Sequence, residues 1–130
     1  MNLFPFDPTF YTYSRAQALA DGGQVDVSNV AVQAGIRFPV FLTRLVYDAY
    51  VTIPPQVVSC QDETGRILDI MATMRLAICR AKPGQSRLSF ALYVRTDNSA
   101  RRLVKLIATC GPLDLDDPQP AITVTLPTED

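Results

Sequence analysis

Ser86-Arg87-Leu88-Ser89-Phe90-Ala91-Leu92-Tyr93-Val94-Arg95 changes character residue by residue, with Leu88, Phe90, Leu92 and Val94 on one side and Arg87, Ser89, Ala91, Tyr93 and Arg95 on the other. A period of two marks an extended strand with one buried face. The alternation returns in Arg102–Cys110 and again in Ala121–Leu126. In the second stretch Val104, Leu106 and Ala108 oppose Leu103, Lys105, Ile107 and Thr109, so both faces are expected to be partly covered near its middle. In the third, Ile122, Val124 and Leu126 turn inward. Upstream, Gly65–Lys82 carries Ile67, Ile70, Met71, Met74, Ala77 and Ile78 at helical spacing, which makes a broad apolar face. Asp62 or Thr64 supplies its N-cap, and Pro83-Gly84 ends it. Thr96–Ala100 reads as a polar hairpin loop and the Asp- and Pro-rich Gly111–Pro120 as a connection. The expected fold is α+β: a three-stranded antiparallel meander packed on a long helix, with short N-terminal helices.

Those helices are punctuated in the sequence. Residues 1–10 hold three aromatics and two prolines, which favours an extended N-terminal arm, and residues 11–130 form the single α+β domain. Ser14-Arg15-Ala16-Gln17 is a capping-box pattern, so a helix is expected over Arg15–Asp21 with Gly22-Gly23 as its stop. Val25-Asp26-Val27 is short and alternating. Ser28 is placed to cap a second helix, Asn29–Ala34, closed by Gly35. From Pro39, Leu42, Leu45, Val46 and Ala49 recur at helical spacing and Arg44 can pair with Asp48, which predicts a third helix ending before Pro54-Pro55. The link Ile53–Gln61 reads as a loop with one brief extended piece.

Composition narrows the class. A chain of 130 residues, 48% apolar with a formal net charge of −1, is long enough for one domain with a sizeable core. No apolar run approaches membrane-spanning length, and the first residues lack a basic leader region, so a cytoplasmic protein without a membrane span or lipid anchor is expected. Cys60, Cys79 and Cys110 show neither Cys-x-x-Cys spacing nor a neighbouring histidine, which suits a reducing compartment. Cys79 and Cys110 are expected to be small buried side chains. Cys60 falls in the loop, with Arg66 the one nearby group able to lower its pKa.

Catalytic chemistry is poorly supplied. The chain has 0 histidines, and Lys82 and Lys105 are its lysines. A general base near neutral pH would have to come from a strongly shifted carboxylate, lysine or cysteine. Asp62, Glu63 and Asp69 cluster at the start of the long helix, where they complement the helix dipole and Asp69 can pair with Arg66. Asp114-Leu115-Asp116-Asp117-Pro118 lacks the glycine and glutamate that a calcium loop needs at its sixth and twelfth positions. A non-enzymatic protein without cofactor or metal is expected. Tyr11, Tyr13, Tyr47 and Tyr50 read as half-buried side chains at the core edge, or as a contact patch. The strongest functional hint is charge. Residues 66–105 hold nine Lys or Arg against two Asp, whereas 106–130 hold five acids and no base. Arg87, Tyr93, Arg95 and Lys105 would share the outer sheet face, with Arg101 and Arg102 beside them, unless the acidic tail folds over it.

Read together, Tyr13-Ser14-Arg15-Ala16-Gln17-Ala18-Leu19-Ala20-Asp21-Gly22, Val25-Asp26-Val27-Ser28, Ala34-Gly35-Ile36-Arg37-Phe38-Pro39-Val40, Leu42-Thr43-Arg44, Gln61-Asp62-Glu63-Thr64-Gly65-Arg66-Ile67-Leu68-Asp69, Cys110-Gly111-Pro112 and Ile122-Thr123-Val124-Thr125-Leu126-Pro127 resemble, in order, a small bacterial family known only as a domain of unknown function. The chain departs from that pattern at Tyr47 and Leu68, where tryptophan is common, and in Leu113–Pro120, where a Gly/Asp turn is usual. Members are often carried on plasmids, integrative elements and prophages, so the resemblance implies an accessory role in mobile-element biology. It carries over no active site. The resulting expectation is a small cytoplasmic binding protein of a mobile genetic element, which occludes or modulates a host or element protein, counter-defence inhibition being one form. The alternative is a nucleic-acid-binding module using Arg87, Tyr93, Arg95, Arg101, Arg102 and Lys105. An exposed edge on so small a sheet can also pair with a second copy of the chain.

Overall fold

The first described residue, Ser14, opens helix α1 (Arg15–Ala20) in a computed structural model that describes residues 14–53, 55, 62–95 and 101–129. The arm at residues 1–10, Tyr11, Tyr13, Cys60 and the 96–100 loop lie outside the described residues. The capping box is complete: Ser14 Oγ accepts the Gln17 amide and Gln17 Oε1 accepts the Ser14 amide, each at 3.0 Å. Gly22, at φ +78°, lets Gly23 N–H reach back to Ala18 O at 2.8 Å and close the helix. Strand β1 (Gln24–Asp26) and helix α2 (Ser28–Gln33) follow. Gly35 ends α2 in the same way, at φ +87°, with Ile36 N–H bonded to Ala31 O at 2.9 Å.

Strand β2 (Val40–Thr43) runs into a three-residue helix, α3 (Arg44–Val46), and a π-helical turn, Tyr47–Val51. The long helix α4 (Glu63–Arg80) leads to β3 (Arg87–Val94), β4 (Arg102–Asp114) and β5 (Asp117–Thr125). These strands make one five-stranded mixed sheet in the order β1-β2-β5-β4-β3. The sheet is therefore α+β, as expected, but it is larger than a three-stranded meander. The meander β3-β4-β5 exists within it, antiparallel throughout. To it β2 adds in parallel against β5, Val40 opposite Ile122 and Leu42 opposite Val124, and β1 adds antiparallel to β2. Parallel pairing requires a long crossover between the two strands, here the helices together with β3 and β4.

Three further expectations are corrected. The third helix does not start at Pro39: Val40, Phe41 and Leu42 are all buried, so both faces of β2 are covered, and a continuous apolar run carries no period of two. Leu45, counted toward the helical face, is exposed. Val46 and Val51 are buried instead, five residues apart, the spacing that a π turn closed by Thr52 N–H to Tyr47 O brings onto one side. The connection Gly111–Pro120 is mostly strand. Pro112 stands opposite Pro120, and since neither has an N–H, prolines here cost the ladder little. Finally, Ser28 does not cap α2. Its hydroxyl instead accepts the Val40 amide at 3.0 Å and ties α2 to β2.

The core lies between α4 and one sheet face. Ile67, Ile70, Met71 and Met74 meet Phe90, Leu92, Val94, Leu106, Ala108, Ile122, Val124, Val40 and Leu42, with Ala31 of α2 alongside. Burying each large side chain contributes about 1.5–3 kcal/mol relative to leaving it exposed. Leu106, Ile107 and Ala108 are all buried, so both faces of β4 are covered at its middle, as the sequence predicts. Asp62 caps α4 through Gly65 N–H at 2.6 Å, and extended Ala81 ends it. Among the described residues no helix is long and apolar enough to cross a membrane.

Candidate functional site

Register decides which of the predicted contact residues meet. Arg87 lies opposite Thr109, Ala91 opposite Lys105 and Tyr93 opposite Leu103, so Arg87, Tyr93 and Lys105 share the sheet face away from α4. Arg102 lies opposite Val94, which points into the core, and so falls on the α4 side at the strand's end. Arg101 precedes β4 and Arg95 follows β3. The face thus holds two strand cations and a tyrosine, with Arg95 and Arg101 just beyond the strand ends. Tyr93 and Leu103 are both exposed.

The other half of this face is closed by α1. The Arg15 guanidinium stacks 4.1 Å from the centroid of the Phe41 ring. Its Nε donates to Leu113 O at 2.6 Å, and a terminal nitrogen donates to Gln24 Oε1 at 2.8 Å and Thr123 Oγ1 at 3.1 Å. Burial pulls this arginine below its ordinary pKa, and Asp114 and Asp26 oppose the shift. Asp114 accepts the Arg15 and Ala16 amides, each at 3.0 Å. Two acids of this segment have partners elsewhere: Asp114 holds α1, and Glu129 accepts from the Thr43 hydroxyl at 2.8 Å and the Leu126 amide at 2.7 Å. Neither carboxylate sits over Lys105 or Tyr93.

The free edge of the sheet adjoins the exposed half. Among the described residues β3 pairs with β4 alone. Between that edge and α4 lies a cavity of about 460 Å³, lined by Thr73, Leu76, Arg80, Ser89 and Ala91 among others. Leu76 is exposed.

The carboxylates at the start of α4 have structural partners. Asp62 caps the helix, and Glu63 accepts the Tyr47 hydroxyl at 2.7 Å, a bond that raises the tyrosine pKa. Tyr47 and Tyr50 are half-buried against the core. Arg44 pairs with Asp48 at 3.5 Å, as spacing predicts. Arg66 does not pair with Asp69. It is buried, and donates to Tyr50 O at 3.3 Å and Arg95 O at 2.6 Å while its Nε has no partner. Desolvation lowers its pKa. Arg66 stands four residues before Ile70 and eight before Met74, both buried, so helical spacing places it on the core face even though its side chain is charged.

Both described cysteines contradict the expected burial. Cys79 sits on α4 and Cys110 on β4, and each is exposed where the end of α4 and β4 border one open cavity. Among the described residues no group of three or more His, Cys, Asp or Glu is placed to hold a metal ion. Comparison with known proteins finds no matching family model, no matching curated protein and no matching solved structure.

Proposed function

We propose that this chain is a non-enzymatic binding protein of a mobile genetic element, acting by protein-protein contact at the exposed half of its outer sheet face. The observation that carries the reading is the exposed Tyr93–Leu103 pair on a face whose other half is closed by Arg15 and α1. Large apolar and tyrosine side chains flanked by positive charge form the usual composition of a contact surface. Arg87 and Lys105 select a partner that presents apolar residues bordered by carboxylates. Counter-defence inhibition by occlusion is one form such contact takes.

The nucleic-acid alternative is less well supported. Stacking platforms use several aromatics along a basic groove, and Tyr93 is the single aromatic on this part of the β3–β4 face. The register also separates Arg102 from Arg87 and Lys105.

Affinity capture from a native host lysate, compared between wild type and a Y93S/L103S double variant, tests the proposal. A stoichiometric partner retained by the wild type and lost from the variant is expected. No such partner, or equal capture by both, overturns the proposal. A salt-sensitive shift of single-stranded or duplex probes that disappears in K105E would move the function to nucleic acid. A dimer in sedimentation that Y93S/L103S abolishes would make a second copy the occupant.

A further inference from the structure

A different surface carries a second site. The end of α4, the loop between α2 and β2, and strands β4 and β5 together line an open cavity of about 560 Å³. Its floor is Ile36, Ala108 and Ile122, all buried, and its rim includes Phe38 and Ile78, both exposed. Volumes of roughly 300–1,000 Å³ with mostly apolar walls and a few polar groups are typical of small-molecule sites.

The polar groups have one sign. Arg37, Arg75 and Lys82 line the cavity, and among the described residues no Asp or Glu does. None of the three has a side-chain hydrogen bond or ion pair among the described residues. Each is exposed. Arg75 lies against Gly35, where an added Cβ would sit 3.1 Å from its Nε. The C-terminus of α4 opposes an anion with roughly half a negative charge, far less than three full cations supply.

We infer that this cavity binds an amphiphile with one anionic headgroup, a carboxylate or phosphate on an aliphatic chain. The chain occupies the floor between Ile36 and Ile122, and the headgroup is held by Arg37, Arg75 and Lys82. A volume of this size, with three cations among its lining residues, suits a single small molecule with one charged end. This site does not depend on the contact surface at Tyr93 and Leu103.

Calorimetry with octanoate, decanoate, dodecanoate and decanol tests the inference on the full chain. Saturable one-site binding of decanoate is expected, tightening roughly threefold for each added carbon as methylenes leave water. Decanol, with the same tail and no charge, should bind at least tenfold more weakly. R75Q and K82Q, both exposed positions, should each weaken decanoate about 3–10-fold. Bound decanoate should slow alkylation of Cys79 and Cys110, read residue by residue by mass spectrometry, because both thiols line the cavity. No saturable binding at millimolar decanoate overturns the inference, as does equal affinity for decanol or unchanged labelling of both thiols. Binding of an acidic peptide without binding of decanoate would assign the cavity to a protein instead.

Discussion

Tyr93 and Leu103 stand directly opposite each other across the β3–β4 ladder, 63% and 61% exposed, on a face where Phe41 and Ala121 are almost completely buried. Two large side chains left open side by side contribute little to folding. Y93S and L103S should each change unfolding free energy by less than about 0.5 kcal/mol, measured by denaturant titration. A larger loss would mean that they pack within the domain and are not held out for a partner.

Arg66 fastens the end of the π turn to the end of β3 by donating to Tyr50 O and Arg95 O. R66M keeps an unbranched apolar stem and leaves both carbonyls short of a donor. A loss of about 1–3 kcal/mol is expected in chemical denaturation. A neutral or stabilising result would show that removing the desolvated charge outweighs those two bonds.

Gly35 adopts φ +87° so that Ile36 can close α2. G35A should cost about 1–2 kcal/mol from the left-handed backbone alone. It should also press on the Arg75 side chain, which can move. Thermal unfolding and decanoate affinity measured on the same variant separate the two effects.

Asp114 has its pKa lowered, first by the Leu115 amide and then by the amides of Arg15 and Ala16 and the charge of Arg15. A carboxyl whose folded pKa is depressed adds stability that is fully present above its unfolded pKa, about 3.9, and is lost as pH falls through the lower folded value. D114N should therefore be less stable than wild type at pH 7, and the difference should shrink steadily below about pH 4. A gap that stays constant down to acid pH would rule out the charge as its source.

Leu106 is completely buried at the middle of β4, opposite Phe90. L106A should cost about 2–5 kcal/mol, the range for deleting a well-packed core side chain. Guanidinium unfolding gives the value directly.

Local signals were legible where a single turn or strand suffices to produce them. Ser14 and Gln17 announced their reciprocal cap, Gly22 and Gly35 their helix ends, and Leu88–Val94 its buried side. Two of the corrected expectations turn on segments that lie far away in the chain. Val40-Phe41-Leu42 is apolar on both faces because the core beneath α4 covers Val40 and Leu42 while Arg15 of α1 covers Phe41, and no neighbour in sequence reports that enclosure. Cys79 and Cys110 lie at apolar-looking positions, yet both open onto the cavity between the end of α4 and the sheet. Of the contact residues, Arg87, Tyr93 and Lys105 were legible by alternation, whereas the side taken by Arg102 was set by pairing with Val94 across the loop.

The sequence by itself determined the α+β class, the long helix with its apolar face, the inward set of each meander strand and the clustering of positive charge in residues 66–105. Periodicity and capping chemistry act over a few residues, so they survive without a fold. Only the tertiary structure decided that β2 joins β5 in parallel, that α1 closes half of the outer face, and that Arg37, Arg75 and Lys82 surround one cavity. Those arrangements depend on strand register and on where packed layers part, and both are set by contacts between segments far apart in the chain.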